Sequence, residues 1–101
     1  MGTRSFVLLG TDYAMRASFG SACHGAGRRM SRTQARRRWL RRGLTEELGR
    51  EGIFVMCHSQ SGLAEEAPGA YKDVTEIVDA VHSAGLANKV ASLKPLGVIK
   101  G

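Results

Sequence analysis

Between Gly25 and Leu44 this chain places eight arginines and not one acid. Arg28, Arg29, Arg32, Arg36, Arg37, Arg38, Arg41 and Arg42 supply more than half of its 15 basic residues. Elsewhere seven bases face nine acids, so the net charge of +6 is entirely local to this stretch. Like charges one helical turn apart cost roughly 0.2–0.5 kcal/mol per pair in an isolated helix. A helix here therefore needs acidic neighbours from elsewhere in the fold, or a bound polyanion.

With 101 residues the chain is long enough for one small domain with a modest core. A hydrophobic content of 43% reads as globular rather than disordered. No apolar run approaches the roughly 20 residues of a membrane span. Met1-Gly2-Thr3-Arg4-Ser5 lacks the pattern of a signal peptide. The expectation is a cytosolic protein, cytoplasmic in location, with no membrane partner. Cys23 and Cys57 make a poor disulfide framework and are expected as free thiols.

Hydrophobic patterning predicts an α+β chain, a mixed sheet of about three strands with three or four packed helices. Ser5–Leu9 is β-prone, and Thr11 or Asp12 caps a short helix through Ala17. Phe19–Arg29 is a glycine-bearing loop. Ser31 is the N-cap of a helix from Arg32 to about Arg42, closed by Gly43. Thr45–Leu48 opens another short helix, closed near Gly49 or Gly52. Ile53–Cys57 is continuous enough to be a strand buried on both faces. Ser59–Tyr71 reads as a loop. Asp73 and Glu76 have capping-box spacing ahead of Val74, Ile77, Val78 and Val81, an amphipathic helix ending near Gly85. Lys89–Lys100 is extended, and Pro95 bends it or limits it to an edge. The whole chain, 1–101, is read as a single unit that is part of a larger fold.

The stretch with most chemical content is Ser21-Ala22-Cys23-His24-Gly25-Ala26-Gly27-Arg28-Arg29-Met30-Ser31-Arg32. Its glycines allow close backbone approach, and exposed N–H groups in such a turn suit phosphate oxygens. The arginines add fork-shaped donors. An imidazole aimed at a phosphate can act as acid, base or nucleophile, although a loop histidine held by a backbone carbonyl is the plain alternative. Cys23-His24 and Cys57-His58 lack the spacing usual for zinc. Trp39 either stacks on a base or joins the core. Tyr71 offers an aromatic face to a purine or is a half-buried loop residue. Glu65 and Glu66 form a carboxylate pair, belong to a solvated loop or balance nearby arginines. His82 is structural, and Lys100 is a terminal residue of the ordinary kind.

The string CHGAGRRMSR resembles the active-site signature of the RtcB family of RNA-splicing ligases. Met1-Gly2-Thr3-Arg4-Ser5, the block from Leu63 to Val74 (LAEEAPGAYKDV) and the tail Val98-Ile99-Lys100-Gly101 resemble the same family, in the same order. The resemblance implies a GTP- and manganese-dependent enzyme. It joins an RNA 3′-phosphate or 2′,3′-cyclic phosphate to a 5′-hydroxyl through a guanylylated histidine. By that resemblance His24 is the nucleophile. Met1, Ser5, Gly25, Ala26 and Gly27 line the nucleotide, Tyr71 stacks on guanine, and Lys100 bonds its base edge. Arg28 and Arg32 hold the RNA phosphate or the transferring group.

The family's manganese ligands lie upstream of the matched region, and none has a counterpart here. The resemblance therefore implies a C-terminal segment, completed by an upstream RtcB portion and nearly inert alone. Its other implied partners are RNA, GTP and an archease-type activator. The competing reading, from charge alone, is a non-catalytic RNA-binding module built on the arginine-rich helix.

Overall fold

The computed structural model describes residues 1–100. In chain order the elements are β1 (Ser5–Gly10), α1 (Asp12–Ala17), α2 (Arg32–Trp39), α3 (Leu44–Arg50) and β2 (Phe54–Cys57). They continue with α4 (Gln60–Glu65), a 3₁₀ turn (Pro68–Ala70), α5 (Val74–Ser83), β3 (Ala87–Leu93) and β4 (Gly97–Lys100). The α+β expectation holds, but the strands form two separate two-stranded sheets, β1 with β3 and β2 with β4. The chain divides into two compact units.

The first unit comprises Met1–Thr3, Arg28–Tyr71 and the stretch from Pro95. Its core joins Leu44 and Leu48 of α3 with Ile53, Leu63 and Ala67, and Met1, Trp39, Val55, Cys57 and Val98 pack against it. β2 and β4 run parallel, Phe54 opposite Gly97 through Cys57 opposite Lys100. Ser31 caps α2 with a complete capping box, its hydroxyl accepting from Gln34 N while the Gln34 side chain accepts from Ser31 N. That box satisfies two donors that would otherwise be orphaned at the helix start.

Three expectations for this unit need correction. Helix α2 stops at Trp39, and Gly43 starts α3 instead of closing α2. At φ +60° Gly43 reverses the chain in a left-handed conformation that glycine adopts without steric penalty, which lets Leu44 turn into the core. β2 is not buried on both faces, because Phe54 and Met56 are 68% and 57% exposed. The core covers only the Val55 and Cys57 side of this short sheet. Ser59–Tyr71 is not a loop: the Ser59 hydroxyl accepts from Gly62 N at 3.0 Å to start α4, and Leu63, Ala64, Ala67 and Ala70 are all buried. Small alanines let this segment pack closely, a pattern that glycines and acids disguise in the sequence. The tail is extended as expected, and at Pro95 it parts into two strands, β3 and β4, each in a different sheet.

The second unit comprises Arg4–Gly27 and Lys72–Lys94. β1 and β3 pair antiparallel from Ser5 opposite Leu93 to Gly10 opposite Ala87, with a register shift between Val7 and Leu8. Thr11 caps α1, its Oγ1 accepting from Ala14 N at 3.1 Å and donating to Gly85 O at 2.6 Å. One hydroxyl thereby ties the start of α1 to the turn after α5. The Asp73 carboxylate caps α5 by accepting from Thr75 N at 2.7 Å. The His82 ring lies 3.3 Å from Ala87 O, as its structural reading expects.

Candidate functional site

Glu66 stands just past α4, on the turn that leads through Pro68–Ala70 to Tyr71. Three chemically distinct groups of the first unit converge on its carboxylate. The Tyr71 hydroxyl donates to Oε2. The Lys100 ammonium lies 3.6 Å from the same oxygen, and Arg28 Nη1 lies 3.5 Å from Oε1. Burial by itself would push the Glu66 carboxyl up. The Tyr71 hydroxyl, Lys100 and Arg28 together outweigh it and hold Glu66 below the usual carboxylate range. Burial, followed by the bond to Glu66 and the charge of that carboxylate, pushes the Tyr71 hydroxyl up, against the pull of Arg28.

Arg28 is anchored on every side of its fork. Nε donates to Met30 O at 3.1 Å, Nη2 to Glu65 O at 2.6 Å and Nη1 to the Tyr71 hydroxyl at 2.9 Å. Its guanidinium also lies over the Tyr71 ring, Cζ 4.8 Å from the centroid. A short backbone bridge joins Arg28 to Tyr71, and Arg29 N donates to Ala70 O at 2.9 Å. Any phosphate reaching Arg28 would have to compete with these protein acceptors. Arg32 is freer, 68% exposed and only loosely paired with Glu65 at 3.7 Å. Arg36 also reaches Glu65, at 3.3 Å. The acid pair thus balances nearby arginines, one of the readings its sequence allowed.

Trp39 belongs to the core rather than to an open stacking surface. A Cβ on Gly69 would lie 2.6 Å from the ring, so only glycine lets the turn pass so close. Arg38 stacks on the same indole, Cζ 5.0 Å from the centroid. Met1 packs on the first unit's core.

In the second unit His24 and Gly25 are exposed on the loop after α1, and Ala26 is half-buried. Gly27 has φ +73°, and its carbonyl accepts from Lys72 N at 3.0 Å. Nothing stands within 4 Å of where a Cβ would be on Gly25 or Gly27. The loop that carries the histidine is therefore open and small-walled, as approach by a phosphate group requires. Ser5 begins β1 and is exposed. Cys23 and Cys57 are free thiols. Among the described residues no three His, Cys, Asp or Glu side chains gather to hold a metal ion. No helix of the described residues is long and apolar enough to cross a membrane.

The sequence singles out Tyr71, Lys100 and Arg28 but not Glu66 as the group that joins them. Its positions relative to these residues follow no helical or strand period, so only the folded chain reveals the convergence.

The family model described as tRNA-splicing ligase RtcB matches residues 1–101. The chain is 52% identical over 101 residues to a protein named tRNA-splicing ligase RtcB from Methanopyrus kandleri, covering all of this chain and 10% of that relative. It is 52% identical to the protein of that name from Thermococcus kodakarensis, covering 21% of it, and equally to that from Pyrococcus furiosus, covering 10%. The chain thus spans about a tenth to a fifth of the length of these curated relatives.

Proposed function

Since the chain belongs to the RtcB family of tRNA-splicing ligases, we propose that it carries the histidine nucleophile and part of the guanylate pocket of an RNA ligase. The observation that carries this reading is the family match over residues 1–101, which takes in the His24 loop, Tyr71 and Lys100 together.

In the proposed reaction, His24 attacks the α-phosphorus of GTP. A phosphorus–nitrogen bond forms and pyrophosphate departs with the electron pair of the broken bond. The RNA 3′-phosphate then takes GMP from the histidine, and the 5′-hydroxyl attacks that activated end, releasing GMP. Splitting the ligation this way replaces one difficult displacement with easier ones. Gly25, Ala26 and Gly27 leave room for the phosphates. Met1 and Ser5 border the nucleotide, Tyr71 and Lys100 receive the base, and Arg32 and Arg28 face RNA phosphate. Among the described residues no three His, Cys, Asp or Glu side chains gather to fit a manganese site, so the manganese ligands are assigned to an upstream RtcB portion.

The test is labelling with GTP radioactive at the α-phosphate, with manganese, in the presence and absence of a separately expressed upstream portion of the family protein. Acid-labile label on this chain in the mixture, lost completely in His24→Ala, is the expected result. Full labelling of His24→Ala removes the nucleophile assignment.

A second reading draws on a separate observation. Among the described residues Arg29, Arg37, Arg38, Arg41 and Arg42 are exposed and form no ion pair with an acid. Such a set suits an RNA backbone without any chemistry. That module would bind RNA in a salt-sensitive way, indifferent to GTP and to His24, and covalent labelling from GTP excludes it.

A further inference from the structure

We propose that Glu66 is the positioning residue of the nucleobase subsite, one carboxylate that sets both the stacking face of Tyr71 and the direction of the Lys100 ammonium. The inference rests on the reading of Tyr71 and Lys100 as the base contacts.

Tyr71 is held at both ends of its dipole. Its hydroxyl donates to Glu66 and accepts from Arg28 Nη1 at 2.9 Å. Arg28 covers one face of the ring, Cζ 4.8 Å from the centroid, and is itself fixed by Met30 O and Glu65 O. A base therefore has one face of Tyr71 to stack on, the face away from Arg28. A free tyrosine on a turn would offer both.

Lys100 poses the opposite problem. Its ammonium is a compact charge on a flexible stem, and by itself it has no preferred direction. Two constraints supply one. Its carbonyl accepts from His58 N at 3.1 Å, which fixes the backbone at the end of β4. Its Nζ lies 3.6 Å from Glu66 Oε2, the oxygen that also receives the Tyr71 hydroxyl. The side chain remains 40% exposed, so donors are left over for a ligand. An ammonium has donors and no acceptor. Held in place, it favours a purine edge made of a keto oxygen and a ring nitrogen over one bearing an exocyclic amine. Through Lys100, Glu66 thus contributes to the choice of guanine over adenine without touching the base.

The experiment uses the guanylylation mixture described above. GTP and ATP are compared as donors for the wild type, Glu66→Gln, Lys100→Ala and the double variant. Glu66→Gln keeps the size of the side chain and an acceptor for Tyr71 but discards its charge. The expected result is a rise of about tenfold in KM for GTP, a much smaller change in the maximal labelling rate, and a narrower preference for GTP over ATP. In the Lys100→Ala background the effect of Glu66→Gln on that preference should largely vanish, since the two act as one unit. A merely structural role would lower the fraction of folded protein and the maximal rate while leaving base preference intact. Unchanged KM and base preference in Glu66→Gln, with wild type labelled, overturn the proposal alone. Absence of label on the wild type overturns it together with the ligase reading.

Discussion

Among the described residues, eight of the 11 buried apolar side chains belong to the first unit and three to the second. In the first unit these include Leu44, Leu48, Ile53 and Leu63, side chains large enough to lock neighbouring turns against one another. In the second they are Ala14, Val78 and Ala87, while Leu9 and Val90 are each 62% exposed. The candidate site residues follow the same division. Tyr71, Arg28 and Lys100 are held by side-chain bonds to one another and to Glu66. The loop bearing His24 is secured next to its glycines by a backbone bond, Lys72 N to Gly27 O at 3.0 Å. A recognition site benefits from preorganised side chains. A nucleophile that must meet successive phosphates is better served by an open loop of small residues. The difference between the units is thus one that the proposed chemistry can use.

The largest effects should come from the core that sets the units apart. Ile53→Ala removes a side chain that is 2% exposed and should destabilise the first unit by about 2–5 kcal/mol. Guanidinium unfolding followed by the fluorescence of Trp39, the single tryptophan, measures it. Val78→Ala should cost the second unit only about 1–2 kcal/mol, because only two methyl groups are lost from a side chain that is 3% exposed, read by amide hydrogen exchange in α5 and β3. Equal losses in the two variants would break the comparison.

Next in size is Gly69→Ala, which sets a methyl group 2.6 Å from the Trp39 ring. Overpacking of this kind costs about 1–3 kcal/mol. It should shift the Trp39 emission and, by moving the turn that carries Tyr71, weaken nucleotide binding. A native emission spectrum with native stability would show that the turn has room to yield.

The smallest effect is a pH dependence confined to the first unit. Glu66 titrates below its ordinary value of 4.5, so its contribution is present above that pH and is lost as pH falls through the lower folded value. Tyr71 is shifted the other way, above 10.0, so its contribution holds below that pH and is lost as pH rises through the higher folded value. Stability of the first unit should therefore decline at both extremes. In Glu66→Gln the acid limb should flatten when melting temperature is followed against pH. An unchanged acid limb would mean that the Glu66 pairs are too well solvated to matter.

Much of the local structure was legible in the residues. Ser31 and Thr11 are caps, Val74, Ile77, Val78 and Val81 mark α5, and Ser5–Leu9 is a strand, because each depends on neighbours within one or two turns. Helix α4 was hidden because its burial relies on one leucine and one alanine, which signal weakly in any short window. The exposure of Phe54 was hidden because an apolar run does not say which of its faces finds a partner.

The sequence by itself determined the family, the open glycine loop around His24 and the location of all excess positive charge. It also posed the question of what relieves eight arginines that have no acid beside them. Only the tertiary structure decided the answer, and among the described residues it does so for three of the eight. Glu65 takes Arg32 and Arg36, Glu66 takes Arg28, and the pairing of β4 with β2 brings Lys100 to the same carboxylate. Electrostatic partners are selected by distance in space, and residues as far apart as 28 and 100 acquire that distance only when strands and turns have closed the chain between them.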